Sequence, residues 1–229
     1  MTARPPVLLV NACALLVGFA LFSNILITTQ MLQLPAGTGF GTGMSALQAG
    51  WALMPIALVG IVVAPLAGRA IARFGAARVL LVAATEPAAT FAVRVPLSHE
   101  LWQLLTGEVL VGVGVSLTIA AIPTLLMTMA PITESASATT IGALLQSVGT
   151  STAGATMAAT ATTWAITLDG YPQPSLTTMF WISAGATFSA AVLALVLVAR
   201  DPTHRPPARR PIFGADRFGP RITGARPGR

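Results

Sequence analysis

Between Val7 and Ala199 the sequence alternates long apolar runs with short polar breaks, and this alternation limits the fold more than any other feature. A helix needs about 17–25 mainly apolar residues to cross the hydrocarbon core of a bilayer, and the runs reach that length. Of the 229 residues, 54% are hydrophobic and only 9% are charged. A soluble domain of that composition would expose large apolar patches. The sequence therefore predicts an all-α, polytopic integral membrane protein.

The apolar runs predict six transmembrane helices in a bundle that covers residues 1–199. Hydrophobicity continues unbroken from Val7 to Leu34, which is longer than a signal peptide, so we expect Met1 to begin a membrane helix. Prolines within the runs do not count against helices, because neighbouring helices can satisfy the freed backbone groups. The predicted spans are Val7–Leu34, Ala46–Ala67, Val79–Val95, Leu101–Met129, Ala136–Leu168 and Leu176–Ala199.

The positive charge is concentrated behind the last apolar run. The net charge is +6, and eight of the 13 basic residues lie at or after Arg200. The same stretch holds six prolines and little that could form a core. Residues 200–229 are therefore predicted to be a disordered basic tail with a weak attraction to anionic lipid head groups. Charge confined to such a tail does not indicate a nucleic-acid-binding protein.

The distribution of arginine predicts the orientation of the bundle. Arg69, Arg73 and Arg78 lie in a predicted short turn between the second and third helices, and with six spans this turn is on the same side as Arg4 and the tail. Basic loops are retained in the cytoplasm. We therefore expect both termini in the cytoplasm of a multi-pass protein of the cell membrane. Arg94 is the exception, and it is expected to snorkel from a helix end to the outer surface.

The sequence offers no pattern for catalysis or for a metal site. Cys13 is the single cysteine, and the two histidines are 105 positions apart. No nucleophile, base and orienting group lie together in the sequence, and Ser and Thr in membrane helices usually form hydrogen bonds between helices. We therefore predict that the protein is not an enzyme and that it has no metal and no cofactor.

The predicted basic turn resembles a motif of a known transporter family. Gly68, Arg73, Gly75 and Arg78 have the spacing of the loop motif G-x-x-x-D-R-x-G-x-x-R of the major facilitator superfamily, with Ala72 in place of the acidic residue. In this interpretation the arginines form a cytoplasmic latch between the second and third helices. The alternative is that they act only as insertion signals.

Three further stretches, Ser45–Pro55, Gly112–Pro123 and Ala143–Gly149, resemble the later helices of fourteen-helix drug:proton antiporters of that superfamily. The resemblance implies that the six spans are the C-terminal half-bundle of a major facilitator fold. It also implies proton-coupled efflux of drug-like or other small amphipathic molecules. The alternative is a non-transporting remnant or a membrane assembly partner.

The resemblance also implies which partners the chain has. They are the lipid bilayer, a small-molecule substrate, and either a separately encoded N-terminal half or a second copy of the chain, with no nucleic acid. The N-terminal bundle, which normally carries the antiporter signature, is expected to be absent. We expect the face that meets the second bundle to carry Asn24, Glu108, Gln146 and the glycines of the fourth and fifth helices.

Candidate pathway residues follow from the resemblance and from the cost of charge in lipid. The first, second, fourth and fifth helices line the path in such a bundle, which makes Asn24, Thr28 and Gln146 candidate substrate contacts, with structural hydrogen bonding as the alternative. Glu108 is expected to point into the bundle and to bind protons or a cationic drug, because acidic residues in the membrane are expensive. Glu86 is the second acidic candidate, for which a structural role is favoured.

Overall fold

The computed structural model describes residues 5–35, 41–95, 100–131, 133–167 and 173–200 of the chain. The predicted tail over residues 201–229 and the predicted connections at 96–99 and 168–172 lie outside these ranges. The described residues form helices and short connections, with no strand among them. The helices are α1 (Pro5–Gln33), α2 (Ala46–Ala52), α3 (Met54–Phe74), α4 (Ala76–Arg94), α5 (Leu101–Met129), α6 (Ser135–Thr167) and α7 (Gln173–Arg200).

Five helical spans within the described ranges are long and apolar enough to cross a membrane. They are α1, α2 and α3 taken together, α4, α5 and most of α7. The sixth predicted span, α6, has 33 residues, but thirteen of them are Ser or Thr, which lowers its hydrophobicity. The number of six spans therefore stays a prediction.

Helix α1 lies in the middle of the bundle, where it packs against α5, α6 and α7. Helix α4 packs between α5 and α7, and α3 packs mainly against α5. The core around α1 includes the fully buried side chains of Val10, Ile27 and Met157. This arrangement covers part of the surface of α1 with helices, so polar residues on its buried faces have to find partners inside the bundle.

Glycines bring α1 and α6 into backbone contact. A side chain on Gly18 would collide with the backbone of Gln146, and one on Gly149 would collide with the backbone of Leu15. Such small residues let helices approach closely in lipid. Because Gly142 on α6 lies near Asn11, and Gly149 near Leu15, the two helices run in the same direction.

The predicted span Ala46–Ala67 is broken and longer than expected. Helix α2 ends and α3 begins around Leu53, because Pro55 has no N–H to donate to the carbonyl of Trp51. Helix α3 then continues seven residues beyond Ala67 to Phe74.

The prediction of a basic turn that begins at Gly68 is wrong. Gly68 lies inside α3, because the residues around it favour helix and nothing there requires a left-handed backbone. The turn is confined to Gly75, which has a φ of 86° and ends α3. Arg69 and Arg73 therefore lie on α3, and Arg78 lies on the first turn of α4.

Candidate functional site: a buried arginine and glutamate

Four side chains from three helices form a buried polar network, which consists of Asn24 and Thr28 on α1, Arg94 on α4 and Glu108 on α5. Arg94 Nη1 donates to Asn24 Oδ1 at 2.7 Å and lies 3.5 Å from Glu108 Oε2. Arg94 Nη2 donates to Thr28 Oγ1 at 3.0 Å, and Thr28 Oγ1 donates to Glu108 Oε2 at 2.6 Å. The network thus links α1, α4 and α5 at one point.

The polar network is almost completely shielded from solvent. The exposed fraction is 1% for Asn24, 3% for Arg94 and 2% for Glu108. A buried charge is tolerated only when it has a counter-charge and hydrogen bonds. Arg94 and Glu108 are each other's counter-charge, and Asn24 and Thr28 supply the hydrogen bonds. Glu108 Oε1 has no hydrogen-bond partner among the described residues. This oxygen is therefore the point at which the network could accept a proton or a donor from a ligand.

The fourth wall of the polar network comes from α7. The ring of Phe180 lies with its centroid 5.2 Å from Arg94 Cζ, which is cation–π distance. Phe180 in turn contacts Phe91 of α4, with ring centroids 6.4 Å apart. The aromatic pair covers one side of the guanidinium and keeps it in a low-dielectric environment.

The antiparallel pair α4 and α5 brings the two charges to the same level. Arg94 is the last residue of α4, and its long side chain points back along the helix towards the α4 N terminus. Glu108 lies seven residues after Leu101, and α5 is fixed at its start by a capping box between Glu100 and Gln103. A helix rises 1.5 Å per residue, so Glu108 lies roughly 10 Å along α5, where the guanidinium can reach it.

Gly107 makes room for the arginine. A Cβ atom at this position would lie 2.6 Å from Arg94 Cδ and 2.9 Å from Arg94 Nε. Any side chain at residue 107 would therefore displace the stem of Arg94 and the hydrogen bonds at its end. The pair Gly107 and Glu108 thus combines the space for the cation with the charge that balances it.

The helices and this buried network are features of a polytopic membrane protein. A comparison with protein families identifies the family. The model of the Major Facilitator Superfamily matches residues 5–223. The chain belongs to this superfamily. No curated protein matches the sequence. Members of the superfamily are secondary transporters, and they are not enzymes.

In this superfamily member, three of the four predicted pathway residues lie together. Asn24, Thr28 and Glu108 meet in the polar network, and Glu108 points into the bundle. Gln146 lies elsewhere, with its backbone against Gly18, six residues and roughly 9 Å along α1 from Asn24. Their roles in transport stay predictions.

Arg94 is the residue of the polar network whose side chain was predicted in the wrong place. The expectation that it snorkels to the outer surface is wrong, because its side chain is buried and pairs with Glu108. Part of the signal was present in the sequence. A basic residue at the end of one helix and an acidic residue two turns into the next will meet when the helices are antiparallel and the arginine points backwards.

Glu86 has a separate environment on α4. Its Oε1 accepts a hydrogen bond from Thr90 Oγ1 at 2.8 Å, and its Oε2 lies where a side chain on Gly114 of α5 would be. The carboxyl group thus fills the gap that Gly114 leaves between α4 and α5. This contact is compatible with the structural role favoured for Glu86.

The residues of the loop motif lie at the opposite end of α4 from Arg94. Arg69, Arg73 and Arg78 are exposed, and no ion pair involves them within the part of the chain that the structure describes. The guanidinium of Arg73 lies 5.2 Å from the ring centroid of the adjacent Phe74. Arg73 thus contacts its own helix, and the proposed latch between the second and third helices stays a prediction.

The expectation that Asn24 and Glu108 lie on an exposed face is wrong. Both are buried by the chain's own helices, as are Gly107, Gly112 and Gly149. The physical reason is that a single bundle can satisfy these groups by itself once Arg94 turns inward. Helix α6 carries several exposed Ser and Thr side chains instead, and the name α6 polar face is used for Thr140, Ser147, Ser151, Thr152 and Thr162.

Proposed function

We propose that the chain is one half of a transporter that moves small amphipathic molecules out across the cell membrane in exchange for protons. The observation that supports this proposal is the polar network, because a buried Arg94 and Glu108 pair is costly in a membrane helix bundle. Such a pair is weak evidence for stability, since apolar residues of similar size would fill the space at least as well. A functional use explains why the charges are there.

In this mechanism Glu108 is the proton site. Its Oε1 has no hydrogen-bond partner among the described residues, whereas its Oε2 is held by Thr28 and lies near Arg94. Protonation removes the negative charge that Arg94 faces and weakens the attraction between α4 and α5. Since Arg94 also binds α1, the proton changes the contacts among three helices at once. That coupling is what alternating access requires of a proton site.

The test is transport of an amphipathic fluorescent dye into inverted vesicles, in which cellular efflux appears as uptake, and the vesicles are prepared from source cells whose chromosomal copy carries a substitution. We expect E108Q to abolish efflux driven by a pH gradient and to leave insertion intact. E134Q is the matched control, because Glu134 lies in the short connection between α5 and α6. Normal pH-driven efflux by E108Q would exclude Glu108 from the mechanism.

Asn24, Thr28 and Gln146 are tested separately in the same vesicles. Alanine at Asn24 or Thr28 removes a partner of Arg94, so we expect slower efflux from each variant. Gln146 lies apart from the network, and Q146A should affect the concentration dependence on the dye and leave the pH dependence unchanged. Unchanged efflux by all three variants would remove them from the pathway.

The proposed topology has six spans with both termini in the cytoplasm, and the hydrogen bonding of α6 supports the sixth span. Nine of its Ser and Thr hydroxyl groups donate to a carbonyl three or four residues earlier in the helix. These groups need no water, so the helix can lie in a membrane although its composition is polar.

We also propose that the active transporter contains a second six-helix bundle, either a separately encoded N-terminal half or a second copy. The α6 polar face supports this, because its small Ser and Thr side chains are exposed on the single chain, beside the exposed Leu144 and Val148. The same face is compatible with a non-transporting assembly partner. Efflux in the vesicle experiment distinguishes these two functions.

A further inference from the structure

A groove of about 310 Å³ lies between α4 and α5, beside the polar network. Its walls are mainly apolar, with Ala89 and Val93 on α4 and Trp102 and Leu110 on α5. The indole of Trp102 is 66% exposed and lies on the first turn of α5. Tryptophan is enriched at the level where membrane and water meet. The groove is therefore accessible from the side of the bundle and reaches the level of the lipid head groups.

The charged residue among those that line the groove is Arg94, and Glu108 does not line it. Gly107 also lines the groove, and because it has no side chain, the stem of Arg94 with Cδ and Nε forms the wall behind it. A guanidinium has five N–H donors and suits the planar geometry of a carboxylate. A ligand in the groove thus meets the stem of Arg94 before it meets Glu108, and because Arg94 is only 3% exposed, the ligand reaches the guanidinium when this stem turns towards the groove.

We propose that this groove binds a single-chain amphipathic anion, with a carboxylate head group at Arg94 and an alkyl tail along Ala89, Val93 and Leu110. The volume is at the lower end of the range for small-molecule sites, about 300–1,000 Å³, which suits one alkyl chain better than a two-chain lipid. The proposal concerns binding, and it does not depend on whether the chain transports. The proposed ligand is an anion at Arg94, whereas the sequence predicted a cationic drug at Glu108.

The proposal predicts in which direction the affinity for an anion and for a cation changes when Glu108 is neutralised. The Arg94 Nη1 to Glu108 Oε2 distance of 3.5 Å is longer than the 2.7–2.9 Å typical of charge-assisted hydrogen bonds. The direct contact between the two charges is therefore longer than a short hydrogen bond, and a second carboxylate can compete with Glu108 for the guanidinium. Neutralising Glu108 should strengthen the binding of an anion and weaken the binding of a cation.

Trp102 is the natural probe, since it lies in the wall of the groove. The full chain with W51F, W164F and W181F retains Trp102 alone, and it is reconstituted in nanodiscs of zwitterionic phosphatidylcholine. Three long-chain probes with bromine in the chain are then compared: a carboxylate, an alcohol and an ammonium ion. We expect saturable quenching of Trp102 by the carboxylate, at a concentration about tenfold lower than for the alcohol or ammonium ion, from the charge-assisted bond to Arg94.

Two sets of variants locate the site. A89L fills the groove and should abolish saturable quenching, whereas A92L, which adds the same side chain to an exposed position of α4 outside the groove, should not. E108Q should increase the affinity for the carboxylate, and the neutral pair R94Q/E108Q should remove the preference for it. The double variant keeps the shape of the pair without a lone buried charge, so loss of folding does not confuse the result.

The proposal is overturned by three results. Equal quenching by the three probes, or quenching that A89L does not change, would mean that the probes only partition into the bilayer. Stronger quenching by the ammonium ion would mean that the groove selects cations through Glu108. Efflux in the vesicle experiment does not bear on any of these results, so binding and transport can fail independently.

Discussion

Thr28 Oγ1 donates a hydrogen bond of 2.6 Å to Glu108 Oε2 and accepts one of 3.0 Å from Arg94 Nη2. A hydroxyl has one proton, so Thr28 can bridge the two charges only in this direction. The bridge joins α1 to the antiparallel pair α4 and α5. A neutral side chain thereby holds the cation and the anion of the polar network in a fixed relation.

The first prediction concerns this bridge. T28V keeps the shape of the side chain but leaves Arg94 and Glu108 each without one hydrogen bond, and we expect a loss of about 1–3 kcal/mol in stability. T28S keeps the hydroxyl and should retain most of the stability. Thermal unfolding in detergent micelles measures the difference. T85V is the control, because Thr85 is exposed and bonds only to its own helix. Equal melting of T28V and T28S would contradict the bridge.

The second prediction concerns the two charges. R94Q or E108Q alone leaves a buried charge without its counter-charge, which costs about 3–5 kcal/mol where buried pairs have been broken. The double variant R94Q/E108Q removes both charges and should be more stable than R94Q alone. The measurement is a double-mutant cycle on the unfolding transition. Additive effects of the two substitutions would show that the residues do not interact.

The third prediction concerns the contact between α1 and α6. G149A places a methyl group against the backbone of Leu15, so the helices must separate, and overpacking of this kind costs about 1–3 kcal/mol. G185A on α7 is the matched control, because nothing lies within 4 Å of the added atom. We expect a lower midpoint of thermal unfolding for G149A and an unchanged or higher one for G185A. The reverse order would be incompatible with the close packing.

The sequence was sufficient to predict the bounds of helices that have clear polar breaks at their ends. The bounds of α5, Leu101–Met129, match the predicted span because a polar break precedes it and Pro131 follows it. It was not sufficient for Gly68, since a glycine indicates a turn only where the backbone needs a positive φ, and here that residue is Gly75. Arg94 shows the same limit for the site. Whether a terminal arginine turns outward or inward depends on space beside another helix, which Gly107 provides.

The fourth prediction concerns orientation. We replace Cys13, which is buried, with alanine and introduce single cysteines at exposed positions at opposite ends of the bundle. A72C on α3 lies near the three arginines and should react with an impermeant maleimide only after the cells are permeabilised. Q33C at the end of α1 should react in intact cells. Labelling of A72C from outside would place the arginines on the outer side and reverse the topology.

The last prediction is that a single copy of the chain does not transport. Its α6 polar face is exposed, and in lipid the exposed Ser and Thr gain little, because their hydroxyl groups already bond within the helix. A second bundle can pack against the small side chains of this face, since small residues allow close approach. We therefore expect no dye efflux when residues 1–229 are expressed alone in a strain without its exporters, unless the chain pairs with itself.

Size measurement in mild detergent and disulfide formation by S151C, in the background without Cys13, detect self-pairing. Efflux by a species with the mass of one chain would refute the prediction, whereas efflux by a disulfide-linked pair would identify the second bundle as another copy.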